Sequence, residues 1–144
     1  MATVFDVAKY ILHKKKKLST WKLQKLCYYA QAWSIAWTEH PLFAEEFEAW
    51  VNGPVCPELY HAHQGKFEIA EADLPKGDRD ALSADEKETV DAVLDTYGDW
   101  EPYELKEQTH HEPPWRDARK GLPETAYSRA VISKDSMGAY YGSL

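Results

Sequence analysis

The residues of this chain most suited to chemistry are His110-His111-Glu112, where two imidazoles adjoin a carboxylate. These are the residue types of zinc sites and of acid–base pairs. A helical zinc motif sets its histidines four residues apart on one face. Here they are adjacent, so they point apart, and Pro113-Pro114 follow at once. A third ligand from His61 or His63 would require an extended segment for both to face one way. One of the paired histidines is expected to pack beside Trp115 and bond backbone. The two cysteines, Cys27 and Cys56, are the only thiols. Cys27 falls on the apolar face of a long helix, where a thiolate is costly. Cys56 stands between Pro54 and Pro57 near a helix start, but no base or oxyanion hole accompanies it. Both read as buried, reduced thiols. No G-x-x-x-x-G-K, G-x-G-x-x-G or G-x-S-x-G motif occurs. The sequence therefore nominates no catalytic residue, no cofactor-binding residue and no metal ligand, and is read as that of a non-enzyme.

Charge narrows the partners. Lys and Arg total 17 against 24 Asp and Glu, for a net charge of −7. Phosphate-backbone binding draws on clustered cations, and only Lys14 to Lys17 form a run. That tetrad reads as a solvated connector, and nucleic acid is an unfavoured partner. An acidic chain suits a basic protein instead. The six Trp and nine Tyr give either a bulky core or an aromatic contact surface. The first residues lack the charged and apolar regions of a signal peptide, and no apolar run approaches membrane-spanning length. A cytoplasmic location is expected.

These residues must be positioned by a mainly α fold: five to seven helices packed around a central buried helix, with at most one small β element near 47–51, in a single domain spanning 1–144. The first helix runs from 3 to 13 with Thr3 as cap. The central helix runs from about 20 to 37 and is apolar nearly all round, as a buried helix is. Gln24 and Gln31 share one side of it, and buried amides need partners, so both are expected to bond neighbouring backbone. Phe47 to Val51 alternates as a short strand, Asn52-Gly53-Pro54 turns the chain, and a short helix follows Pro57. Residues 65–79 read as a surface loop. Ser83 to Glu86 forms a capping box opening a helix that Gly98 stops. Short helices are expected from Pro102 and up to Arg119, and Ser133 caps a last one containing Met137, Tyr140 and Tyr141.

Three segments in this order resemble the Panacea, or SocA-like, antitoxin domain. The first is Lys22-Leu23-Gln24-Lys25-Leu26-Cys27-Tyr28-Tyr29-Ala30-Gln31-Ala32-Trp33. The second runs from Phe47 to Tyr60 through Trp50, Gly53, Pro54, Pro57 and Glu58. The third is Thr109-His110-His111-Glu112-Pro113-Pro114-Trp115. The resemblance spans about residues 20 to 120. Cys27, Ala32 and Cys56 depart from the family's usual aliphatic residue, Gly, and Val or Tyr, all as changes of packing. The family residues here are Gln24, Tyr28, Tyr29, Gln31, Trp33, Trp50, Gly53, Pro54, Pro57, Glu58, Tyr60, His110, Glu112, Pro114 and Trp115, serving as scaffold or as partner contacts.

The resemblance implies the antitoxin half of a toxin–antitoxin pair. Such a protein neutralises a cognate toxin, encoded by an adjacent gene, through direct binding, in some cases as an adaptor to a protease. Competing readings are a nucleic-acid-binding transcriptional regulator and a small hydrolase or metal enzyme. The partner-facing parts are expected in residues 61–82 and the C-terminal tail.

Overall fold

A computed structural model describes residues 1–144. Thr3 caps the first helix, α1 (Val4–Lys15), through a capping box with Asp6. The carboxylate of Asp6 also accepts the Asp78 amide at 2.7 Å, which pins a distant loop to the helix start. Helix α1 runs further than residue 13. Lys14 and Lys15 complete its last turn, where cations face the negative end of the helix dipole. Lys16 turns the chain at φ 73°, and Lys17 opens strand β1 (Lys17–Ser19). The lysine run is thus no free connector. Lys14, Lys15 and Lys17 face Asp91, Asp99 and Glu68 at 3.8, 3.1 and 3.8 Å.

Helix α2 (Thr20–Thr38) is the central helix. Ser19 caps it, and Glu39 ends it in the left-handed region. It touches α1, α4 (Ala84–Tyr97), α5 (Pro102–His110) and α7 (Lys134–Tyr141). Every residue from Leu23 to Ala32 is buried, polar ones included. Leu23, Leu26, Tyr28 and Tyr29 sit in a single apolar cluster with Val7, Ile11, Phe47, Val90, Trp115, Met137 and Tyr141.

Seven helices are present, at the upper end of the expectation; the remaining two are α3 (Pro57–His63) and α6 (Pro113–Ala118). The β content exceeds it. Five strands form two small antiparallel sheets. In the first, β1 pairs with β4 (Glu68–Ala70), setting Leu18 opposite Ile69. Residues 65–79 are therefore not a plain loop: Ile69 is fully buried, and a 3-10 turn at Glu71–Asp73 follows it. In the second, β2 (Phe47–Trp50) lies between β3 (Gly53–Val55) and β5 (Val131–Ile132). Strand β2 alternates as expected, with Phe47 and Ala49 inside and Glu48 and Trp50 half-exposed. Its hairpin turns on Gly53, at φ 110°, where a side chain is strained. The Ser83 capping box that opens α4 is present. Gly98 closes that helix in right-handed geometry rather than the left-handed one usual for a glycine stop. No helix is long and apolar enough to cross a membrane.

Candidate functional site

The three motif segments meet at the middle of the molecule, through four sets of contacts. The first joins α2 to the start of α3. The Gln24 side chain accepts the Cys56 amide at 2.8 Å and donates back to the Cys56 carbonyl at 3.2 Å. Its Nε2 also lies 3.1 Å from His63 Nε2. Gln31, two turns along, accepts the Leu42 amide at 2.8 Å and donates to the Phe43 carbonyl at 2.8 Å. Both glutamines bond backbone, as their burial requires.

The second set surrounds Glu112. Its carboxylate is buried and has no cation partner; it accepts hydrogen bonds from Tyr29 Oη at 2.8 Å, Tyr141 Oη at 2.7 Å and Gln108 Nε2 at 3.1 Å. Tyr28 Oη lies 3.2 Å from Tyr141 Oη. Tyr29 stacks on Tyr97 with ring centroids 4.2 Å apart, and the Tyr97 hydroxyl accepts the Trp33 indole N–H at 3.1 Å. Burial pushes the phenols of Tyr28, Tyr29 and Tyr141 well up, so all three remain protonated donors.

The third set holds the strand hairpin. Trp115 donates its indole N–H to the Trp50 carbonyl at 2.9 Å. His110 stacks on Trp115 at 3.8 Å, nearly parallel. The packing expected of one histidine is present, and the Val51 backbone meets the ring as its hydrogen-bond partner, while Nε2 has none. Burial lowers the His110 pKa, keeping it neutral. Arg119, which its sequence position gave no reason to single out, is buried against strand β2 beside Trp115. It donates to the carbonyls of Ala49 at 2.7 Å and Pro123 at 2.9 Å and also to those of Glu124 and Ala126. Its guanidinium lies 4.7 Å from the Trp115 ring.

The fourth set is the least expected. Lys25 is 1% exposed, and its Nζ has no hydrogen-bond partner. It lies against Gly53 so closely that a Cβ there would stand 2.5 Å from Lys25 Cε and 3.1 Å from Thr109 Oγ1. One residue from each motif segment thus meets at this point. Burial, with Lys106 nearby, brings the Lys25 pKa down to about 7. Lysine is ordinarily a surface residue, so its position within an apolar helix carried no distinguishing signal.

The remaining motif residues divide by depth. Pro54 and Pro114 are buried; Trp50, Pro57 and Tyr60 are half-buried; Glu58 is exposed. Trp50 packs edge-on against Tyr60 at 5.0 Å and donates its indole N–H to Glu48 at 2.8 Å. His63 is buried and His61 exposed, so the two do not face one centre with His110, and no three His, Cys, Asp or Glu side chains converge. Burial raises the Cys27 thiol far above its usual range and Cys56 to about 12. Of the expected partner-facing parts, the C-terminal helix is half core, since Met137 and Tyr141 are buried. The large apolar side chains left in solvent include Trp37, Phe67, Tyr103 and Tyr127.

The three motif segments are thus knitted together in the interior of a mainly helical chain. The family model for the SocA-like antitoxin, Panacea domain, matches residues 23–116, and the chain belongs to that family. Searches of curated proteins and of solved structures return no match.

Proposed function

We propose that residues 1–144 form one antitoxin domain that neutralises a cognate protein toxin by direct binding, the toxin being encoded by an adjacent gene. The observation that carries this reading is the family match across residues 23–116, which takes in nearly all of the three motif segments. The structure is in keeping with action by occupancy rather than by chemistry. Gln24, Gln31 and Glu112 are engaged inside the molecule, and its thiols are buried and protonated. The motif residues act mainly as scaffold. Partner contacts fall to the exposed aromatics, which offer rigid anchors. The net charge of −7 favours a basic partner in the encounter. Delivery of the bound toxin to a protease is a further role open to such a domain, carried out in the cytoplasm.

Co-expression tests this. Each neighbouring open reading frame is induced alone and with this chain. Growth arrest by one of them, relieved by this chain, with the two co-purifying, is the expected result. A toxin that stays active in the presence of excess folded protein contradicts it.

A further inference from the structure

Between the start of α2 and the start of α5 lies an open cleft of about 250 Å³, lined by Trp21, Lys25, Asn52, Pro102, Tyr103 and Lys106. Two of these six are lysines and none is acidic, on a chain whose net charge is −7. Neither lysine has an ion-pair partner within the molecule: Lys25 Nζ is buried and unbonded, and Lys106 belongs to none of the salt bridges. Of the acidic residues on α5, Glu104 accepts the Glu101 amide at 2.8 Å and Glu107 lies 4.0 Å from His111.

A buried amine without a partner is a cost that folding alone does not recover. The cost falls when the amine sheds its proton or when something brings an acceptor to it. The aromatic wall of Trp21 lies 5.2 Å from Lys25 Nζ and leaves the amine just beneath the cleft surface. Tyr103, on the cleft's rim, is 67% accessible. A small, cation-floored socket with aromatic flanks suits an anionic side chain carried on a protein surface. A free anion would leave Tyr103 uncovered.

We propose that this cleft is the anchor point for an acidic side chain of the bound partner, an Asp or Glu whose carboxylate is met by Lys106 at the rim and by Lys25 below, with Trp21 and Tyr103 packing around it. The inference rests on the antitoxin reading and adds to it a specific socket. It places one acidic residue of an otherwise basic partner opposite the cationic cleft of an otherwise acidic chain, which fixes register as well as attraction.

The experiment measures toxin affinity by calorimetry for the wild type, K25M, K106E and, as a cation removed elsewhere, K87E. K25M and K106E are each expected to weaken binding about tenfold or more, with K87E near wild type. K25M removes a buried unpaired amine, so it should melt no lower than wild type, and lost affinity then is not lost folding. Restoration of K106E binding by an Asp→Lys or Glu→Lys change in the toxin would identify the anchoring residue. If wild type binds the toxin and both K25M and K106E bind it equally well, the socket is wrong while the antitoxin reading stands. If wild type binds no adjacent gene product, the antitoxin reading falls and the socket's partner falls with it.

Discussion

Gln24 and Cys56 face each other across the interface of α2 and α3 as a reciprocal pair: one side-chain amide closes on both the N–H and the C=O of one residue, at 2.8 and 3.2 Å. Cys56 is the residue that caps α3, yet its side chain makes no capping bond. The orientation of that helix is therefore set from outside, by a glutamine 32 positions earlier.

Replacing Gln24 with Leu keeps the approximate volume and removes both bonds. The Cys56 amide is then buried unpaired, which costs ~1–3 kcal/mol, and its carbonyl keeps only the Tyr60 amide at 2.9 Å. A loss of about 2–4 kcal/mol in urea unfolding is expected. Gln31→Leu should behave alike, since it strands the Leu42 amide and the Phe43 carbonyl. An unchanged midpoint for both would mean that these pairs do not order the interior.

Lys25 makes stability depend on pH in a stated direction. Its folded pKa, about 7, lies below the usual 10.5, so between these values the unfolded chain holds a proton that the folded chain has released. The contribution of this group to stability therefore rises as pH climbs from about 7 toward 10.5 and is lost below about 7, where the folded state must carry a buried ammonium. Lys25→Met should raise the unfolding free energy at pH 6 by an amount on the order of 2–5 kcal/mol. It should gain progressively less toward pH 10. Parallel wild-type and K25M stability curves over that range would refute this.

Glu112 is held by hydroxyls rather than by a cation, so removing those hydroxyls exposes the cost of an uncompensated carboxylate. Tyr141→Phe and Tyr29→Phe should each lower stability by about 1–3 kcal/mol. Glu112→Ala should be at least as damaging, because it strands both phenols. A double-mutant cycle between Tyr29 and Tyr141 should show coupling, since both donate to the same oxygen. Strict additivity would show that the carboxylate is solvated by other means.

The thiols give an inexpensive check on the interior. Both cysteines are fully buried with raised pKa values. A disulfide reagent at pH 8 should label neither in the native protein within minutes and both after addition of guanidinium. Fast native labelling of Cys56 would place it at the surface.

Much of this was legible in the sequence for local reasons. The central helix follows from apolar residues on all its faces, and the need of Gln24 and Gln31 for backbone partners follows from their burial there. Thr3 and Ser83 announce their caps with acidic residues three positions on. What stayed hidden depends on distant pairing. Strands β1 and β4 have three residues each and meet across some fifty positions, too short for alternation to register. Strand β5 has two residues and is a strand only because β2 is beside it. Lys25 and Arg119 look like ordinary surface cations, and only the tertiary structure closes over them. The motif segments could be quoted in order, but nothing in their spacing revealed that Lys25, Gly53 and Thr109 would touch.

Arg119 has a consequence of another kind. One planar cation gathers carbonyls from β2 and from residues 123–126, much as a bound calcium ion would, but with an ion that cannot be chelated away. The same guanidinium is what a trypsin-like protease must pull into its specificity pocket to cut the chain after Arg119. The peptide bond is therefore guarded by the side chain that marks it, and a nick there would record the moments when the hairpin and the loop come apart.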